Sequence, residues 1–247
     1  MTLVAAFAVL LIVAIVGLSR TTLARKASSE GIEEPEAVKA YDRISRTPQF
    51  ALIRRMFVRE LKKHEPKGTI VDVGCGPGYL IEEIAREIPQ AHVIGVDISQ
   101  EMLTTASKNL SFLGLGQRVE FRKGEAQSLP FENESIEYVA STLSLHHWSD
   151  PSRAFQEIYR VLKPKGQFLI FDVRRDPRRL FYWLIVTATR VTPLFLGTQA
   201  LRRINEPLGS LLASYTAVES MVLLSTQPFA RASLKGGLGW LFLCGQK

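Results

Sequence analysis

The chain has 247 residues, 22% of them charged and 46% hydrophobic, which excludes a disordered polypeptide and suits one ordinary domain with appendages. Its net charge of +7 is uneven: nine basic against six acidic residues in 1–60, fourteen against sixteen in 61–176, and eight against two in 177–247. A nucleic-acid enzyme would place basic residues around its central cleft, so the slightly acidic middle argues against that class, and two cysteines are too few for a disulfide framework.

Thr2 to Ser19 carries no charge and is dominated by Leu, Val, Ala and Ile. As a helix it would be about 27 Å long, near the apolar thickness of a bilayer. A cleaved signal peptide would have basic residues before it, whereas Arg20, Arg25 and Lys26 follow it. The expectation is therefore a transmembrane anchor over 1–20, with the C-terminal side in the cytoplasm. A signal peptide and a buried core helix are the alternatives. Basic chain ends fit an anionic bilayer surface as a partner. Residues 21–36 contain the polar run A-S-S-E-G-I-E-E-P-E and read as a linker. Val38 to Ile44 then precedes a helix expected from about Gln49 to His64.

The most informative segment is V-D-V-G-C-G-P-G-Y, Val71 to Tyr79. Ile70, Val71 and Val73 predict a buried strand, Gly74, Gly76 and Gly78 a tight turn, and Leu80 to Ile88 a helix. Such a strand–glycine–helix junction offers free N–H groups to a nucleotide. Nicotinamide binding would need the third glycine at position 79, which is Tyr79, and Pro77 removes one N–H. His92 to Asp97 is a second apolar strand ending in an acid that can accept both hydroxyls of a ribose. Ser99 is a plausible N-cap. Val119 to Arg122 predicts a third strand leading into G-E-A-Q-S-L-P-F, and Ile136 to Leu143 a fourth, ending in S-L-H-H-W. Asp150-Pro151 starts a helix that Lys163-Pro164-Lys165-Gly166 stops, and Gln167 to Val173 is a fifth strand.

These motifs, in this order, resemble the class I S-adenosylmethionine-dependent methyltransferases, in particular the small-molecule branch that acts on ubiquinone and menaquinone precursors. The resemblance implies an α/β fold: a Rossmann-like, mostly parallel seven-stranded sheet with helices on both faces and the last strand antiparallel. It implies S-adenosyl-L-methionine as cofactor, bound by Tyr41, Asp72, Gly74, Cys75, Gly76, Gly78, Asp97, Ile98, Met102, Glu125, Ala126 and Ser141. Asp97 would hold the ribose and Ile98 flank the adenine, while Glu125 stands where the family usually has aspartate. Amino-methylating DNA enzymes of this fold carry a Pro-Pro-aromatic motif after the fourth strand, and cytosine enzymes a Pro-Cys pair; neither occurs. His146 and His147 stand at the strand end where the fold presents its reacting groups, and either is a candidate base, His146 first.

From Pro177 to Ala213 the chain is unusually apolar, with arginines at 178, 179, 190, 202 and 203. Pro193 and Pro207 should divide it into short helices. Three readings stand: a lid over a greasy pocket, docking to a membrane interface, or an ordinary cap packed on the sheet. Thr216 and Glu219 form a capping box. Phe229 to Leu234 and Trp240 to Cys244 read as a closing hairpin, and residues 37–247 as one catalytic domain with an insertion at about 177–213. The expected function is methyl transfer to a small lipophilic acceptor, with no metal and no nucleic acid involved. A catalytically silent cofactor-binding scaffold is the alternative.

Overall fold

The computed structural model describes residues 16–28, 31–111, 113–196 and 208–247. Seven strands form one sheet: β1 (Thr69–Val73), β2 (His92–Asp97), β3 (Val119–Lys123), β4 (Ile136–Thr142), β5 (Leu162–Val173), β6 (Ala230–Gly236) and β7 (Trp240–Gln246). Their order is β3-β2-β1-β4-β5-β7-β6. β1 to β5 pair in parallel, and β7 runs antiparallel between β5 and β6. The order reverses between β1 and β4, and such a switch point opens a crevice beyond the carboxyl ends of the strands.

The helices are α1 (Pro35–Ser45), α2 (Pro48–Lys62), α3 (Tyr79–Glu87), α4 (Gln100–Leu110), α5 (Pro151–Val161), α6 (Arg179–Leu196), α7 (Leu208–Ala213) and α8 (Ala217–Leu224). The central strands are buried on both faces and read as continuous apolar runs, as parallel strands covered by helices must. Alternate residues feed two cores. Ile70, Tyr138 and Ala140 meet Phe57, Leu61, Ile81 and Ile84 of α2 and α3, whereas Val71, Val73 and Val139 meet Phe155 and Ile158 of α5 and Leu224 of α8.

The second core is aromatic. The Phe229 ring lies 4.7 Å from that of Phe168, 5.3 Å from Tyr159 and 6.4 Å from Phe155. Phe229→Ala should lower unfolding free energy by about 3–4 kcal/mol, the usual cost of emptying a buried aromatic site, as read by urea denaturation. An unchanged midpoint would mean this corner collapses without loss.

Caps match the local sequence. Ser99 accepts the Met102 N–H, Asp150 accepts the Arg153 N–H ahead of Pro151, and the Thr216–Glu219 box closes on both sides. Helix α5 ends at Val161, just before the Lys163 to Gly166 stretch, as expected. That stretch belongs to β5 as an irregularity, with pairing jumping from Ile136–Leu162 to Tyr138–Gln167 and Lys165 at φ +69°.

Two expectations need correction. Among the described residues no helix is long and apolar enough to cross a membrane, so the single-pass anchor and the membrane localisation built on it fall. Residues 1–15 of that expected span lie outside the described residues. The described end of the span stops at Ser19, whose amide and hydroxyl both bond the Val16 carbonyl. The chain then runs extended along the domain: Thr21, Leu23 and Lys26 donate their amides to the carbonyls of Pro177, Arg175 and Leu212. Second, α6 does not break at Pro193. The proline falls in the last turn, so only one turn continues past its missing N–H. Arg202, Arg203 and Pro207 lie outside the described residues.

Candidate active site

The cleft opens at the switch point, with about 730 Å³ of space counting its mouth. One end is built by the glycine turn. Gly74 and Cys75 donate their amides to the Val96 carbonyl at 2.8 and 3.1 Å, which ties the turn to the end of β2. Gly74 has φ +78°, and a Cβ there would sit 2.1 Å from the Ser144 hydroxyl. Gly78, at φ +86°, caps α3, and a Cβ there would meet Ala106 of α4 at 3.0 Å. These positions require glycine because the backbone is left-handed and the neighbours already touch.

Asp97 ends β2 at the centre of this arrangement. Its Oδ2 accepts the Gly76 N–H at 2.8 Å and its Oδ1 the Ser99 N–H at 2.9 Å, so the carboxylate is oriented while keeping lone pairs for a ligand. Burial pushes its pKa up, opposed by those two amides. Ile98, Met102 and Ala126 form an apolar wall, with Glu125 and Gln127 beside it and Gly124 below. Tyr41, Leu143, Ser144, His147 and Trp148 also line the cleft.

Tyr41, Gly74, Gly76, Asp97, Ile98, Met102, Glu125, Ala126 and His147 all line this cleft. Asp72, Cys75, Gly78, Ser141 and His146 support it from behind. Ser141 donates to the Val73 carbonyl at 2.7 Å, and burial raises the Cys75 thiol pKa. Asp72 is fully enclosed, and burial beside Asp97 pushes its pKa to about 8. Its Oδ1 is buried with no hydrogen-bond partner to stabilise the charged form, which favours the protonated carboxyl.

The two histidines have different surroundings. His146 is buried, its Nδ1 2.8 Å from Asp172 Oδ1, and its own amide donates to Asp172 Oδ2 at 3.0 Å. His147 faces the cleft, its ring centroid 4.1 Å from that of His146. Of the two candidate bases, His147 lines the cleft and His146, expected first, lies behind it. Both residues lie in the 3₁₀ turn Leu145–His147, against which α7 packs.

Several lining residues escaped the sequence reading. Ser144 and Trp148 flank the histidines in the quoted pentapeptide, and the Trp148 indole donates to Ser144 Oγ at 3.0 Å. Asp172 had a usable signal: an acid inside the apolar run F-L-I-F-D-V, as Asp72 is in β1. Gly31 and Ile32, from the stretch read as a linker, also line the cleft, and Ser99 Oγ donates to the Ile32 carbonyl at 2.7 Å. Their only mark was one isoleucine in an acidic run.

Comparison with known proteins agrees with this geometry. Residues 71–170 match a family described as a methyltransferase domain. The chain is 28% identical to the biotin biosynthesis bifunctional protein BioHC of Teredinibacter turnerae over 68% of this chain and 31% of that protein. It is 32% identical to a demethylmenaquinone methyltransferase of Lactobacillus johnsonii over 48% of this chain and 49% of that protein. It therefore spans half or less of these relatives' length. In fold it is similar to a crystal structure of an S-adenosylmethionine-dependent methyltransferase from Aquifex aeolicus, with a TM-score of 0.63 and 19% identity, covering 87% of this chain and 99% of that one.

Proposed function

We propose, from the premise that this chain carries a class I S-adenosylmethionine-dependent methyltransferase domain, that it transfers a methyl group to a small lipophilic acceptor. S-adenosylmethionine supplies an electrophilic methyl carbon on a positively charged sulfur. The residues of this chain bind, orient and shield. The observation that carries the reading is the Asp97 carboxylate, aimed by the Gly76 and Ser99 amides at the mouth of a glycine-walled cleft. An acceptor for two adjacent ribose hydroxyls needs this orientation. Ile98, Met102 and Ala126 suit the flat face of an adenine.

In-line displacement depends chiefly on alignment, so positioning supplies most of the rate. Tyr41, Leu143 and Trp148 add apolar surface to the walls of the cleft, which favours a shielded transfer. His147 is the imidazole that can take a proton from an acceptor hydroxyl or acidic carbon. Asp172 and His146 hold the turn that aims it. The apolar character of Ile32, Val73, Leu143 and Trp148 favours a lipophilic acceptor, as does the likeness to a demethylmenaquinone methyltransferase.

Purified protein given radiolabelled cofactor and an organic extract of small molecules should move label into an organic-phase product. Tight cofactor binding with no transfer would instead support the silent scaffold. With an acceptor in hand, His147→Ala should lower turnover by about 10²–10⁴-fold, the range for a lost general base. Affinity for S-adenosylhomocysteine should remain within about threefold on the same arithmetic of small free-energy changes. Equal turnover in the variant would remove His147 from the chemistry.

A further inference from the structure

The outer face of α6 is apolar where it meets solvent. Leu180, Trp183, Leu184 and Val191 are all exposed, Trp183 by 60% and Leu184 by 58%. They recur at the three- and four-residue spacing that puts side chains on one side of a helix, while Val186 is buried on the other. Arg179 and Arg190 stand three turns apart along one edge of this stripe. Neither guanidinium is in an ion pair among the described residues.

Two other elements widen the patch. Gly17 lies against the helix, and a Cβ there would sit 3.7 Å from the Leu180 Cβ. Arg178 donates its amide to the Leu238 carbonyl at 2.6 Å and its guanidinium to the Leu18 carbonyl, and the Arg179 amide bonds the Ser19 carbonyl at 2.9 Å. These bonds bring the exposed Val16, Leu18 and Leu238 beside the first turn of α6. Seven of the eleven exposed large apolar side chains among the described residues therefore gather in one place, where single scattered ones would need no explanation. In sequence the apolar character continues upstream of Val16, with no charged residue back to Thr2.

Apolar side chains edged by unpaired guanidiniums match the boundary of a bilayer, where acyl chains meet phosphate headgroups. Residues 177–247 hold eight basic against two acidic residues, so the surroundings carry the same sign. A second copy would bring those same cations to the contact, which disfavours self-association.

We propose that the α6 face, with Val16, Leu18 and Leu238, docks on an anionic membrane surface. The helix lies along the headgroups and crosses nothing, in keeping with the lack of a spanning helix among the described residues. The docking stands independently of the methyl-transfer reading. Under that reading the bilayer lies one packed helix, α7, away from the turn that carries His147.

The test sediments the full chain with vesicles of phosphatidylcholine alone and of phosphatidylcholine and phosphatidylglycerol in equal parts. Wild type should bind the anionic vesicles about tenfold or more tighter than the neutral ones, and added salt should weaken that binding. Trp183→Gln with Leu184→Gln removes apolar contact, and Arg179→Gln with Arg190→Gln removes charge. Each pair should lower binding about tenfold or more. Wild type left in the supernatant, or bound equally to both vesicles, overturns the proposal. Binding that survives the Trp183 and Leu184 substitutions comes from elsewhere in the chain and overturns it too. A dimer that those substitutions abolish, seen without vesicle binding, gives the face to a second copy. Should the paired variants fail to fold, tryptophan emission decides. Anionic vesicles should shift it to shorter wavelength in wild type but not in Trp183→Phe, and equal shifts in the two proteins overturn the docking.

Discussion

Asp97→Ala should reduce affinity for S-adenosylhomocysteine by about a hundredfold or more in calorimetry. Each hydrogen bond to a charged group contributes about 1.5–3 kcal/mol, and a ribose diol would make two. The substitution also releases the Gly76 and Ser99 amides, which the carboxylate now holds at 2.8 and 2.9 Å. The glycine turn and the start of α4 would lose their common tie. Asp97→Asn separates the two effects: it retains an oxygen for one amide but offers a donor where a hydroxyl donor arrives. Its loss should therefore be smaller than that of Asp97→Ala yet still above tenfold, each lost bond being worth about a factor of ten. Retained affinity in Asp97→Ala would mean that the ribose lies elsewhere.

Folding stability should fall as pH rises between about 4 and 8, and Asp72 should be a principal cause. Below its unfolded value near 3.8 the carboxyl is protonated in both states and costs nothing. Between that value and about 8 the native state keeps the proton while the unfolded chain has released it, so each pH unit removes about 1.4 kcal/mol. Above about 8 the penalty is complete, on the order of 5 kcal/mol for a shift of this size. Asp72→Asn has nearly the same shape and no titration. Its unfolding free energy should exceed that of wild type increasingly from pH 5 to 7 to 9 in urea denaturation. Parallel curves for the two proteins would show that Asp72 is ionised in the native state. The Asp97 pKa is raised as well, and its contribution has the same sign, which is why the comparison with the variant is needed.

The parts of the molecule legible in the sequence are those governed by short-range rules. β-branched runs marked β1, β2 and β4, and the Thr216–Glu219 and Asp150-Pro151 pairs marked their helix starts. Gly74, Gly76 and Gly78 marked a turn whose φ angles are all positive, a region that glycine enters without strain. What stayed hidden depends on long-range contact. Whether His146 or His147 reaches the cleft is decided by Asp172, twenty-six residues away, which captures the first of them. The place of Ile32 depends on a bond to Ser99 sixty-seven residues along the chain. The anchor rests on local composition alone, which carries no information about the long-range pairing that ties Arg20 and Thr21 to Arg178 and Pro177.

The bond between Ser99 and the Ile32 carbonyl has a consequence for how a nucleoside comes and goes. Gly31 and Ile32 belong to polypeptide that precedes the family-matched region by some forty residues, yet they line the cleft. In the nucleoside reading, entry and exit pass an edge of the cleft that the Ser99 hydroxyl and the Ile32 carbonyl tie together. Trimming the chain to residue 37 would leave the floor of the site whole while letting its occupant escape faster.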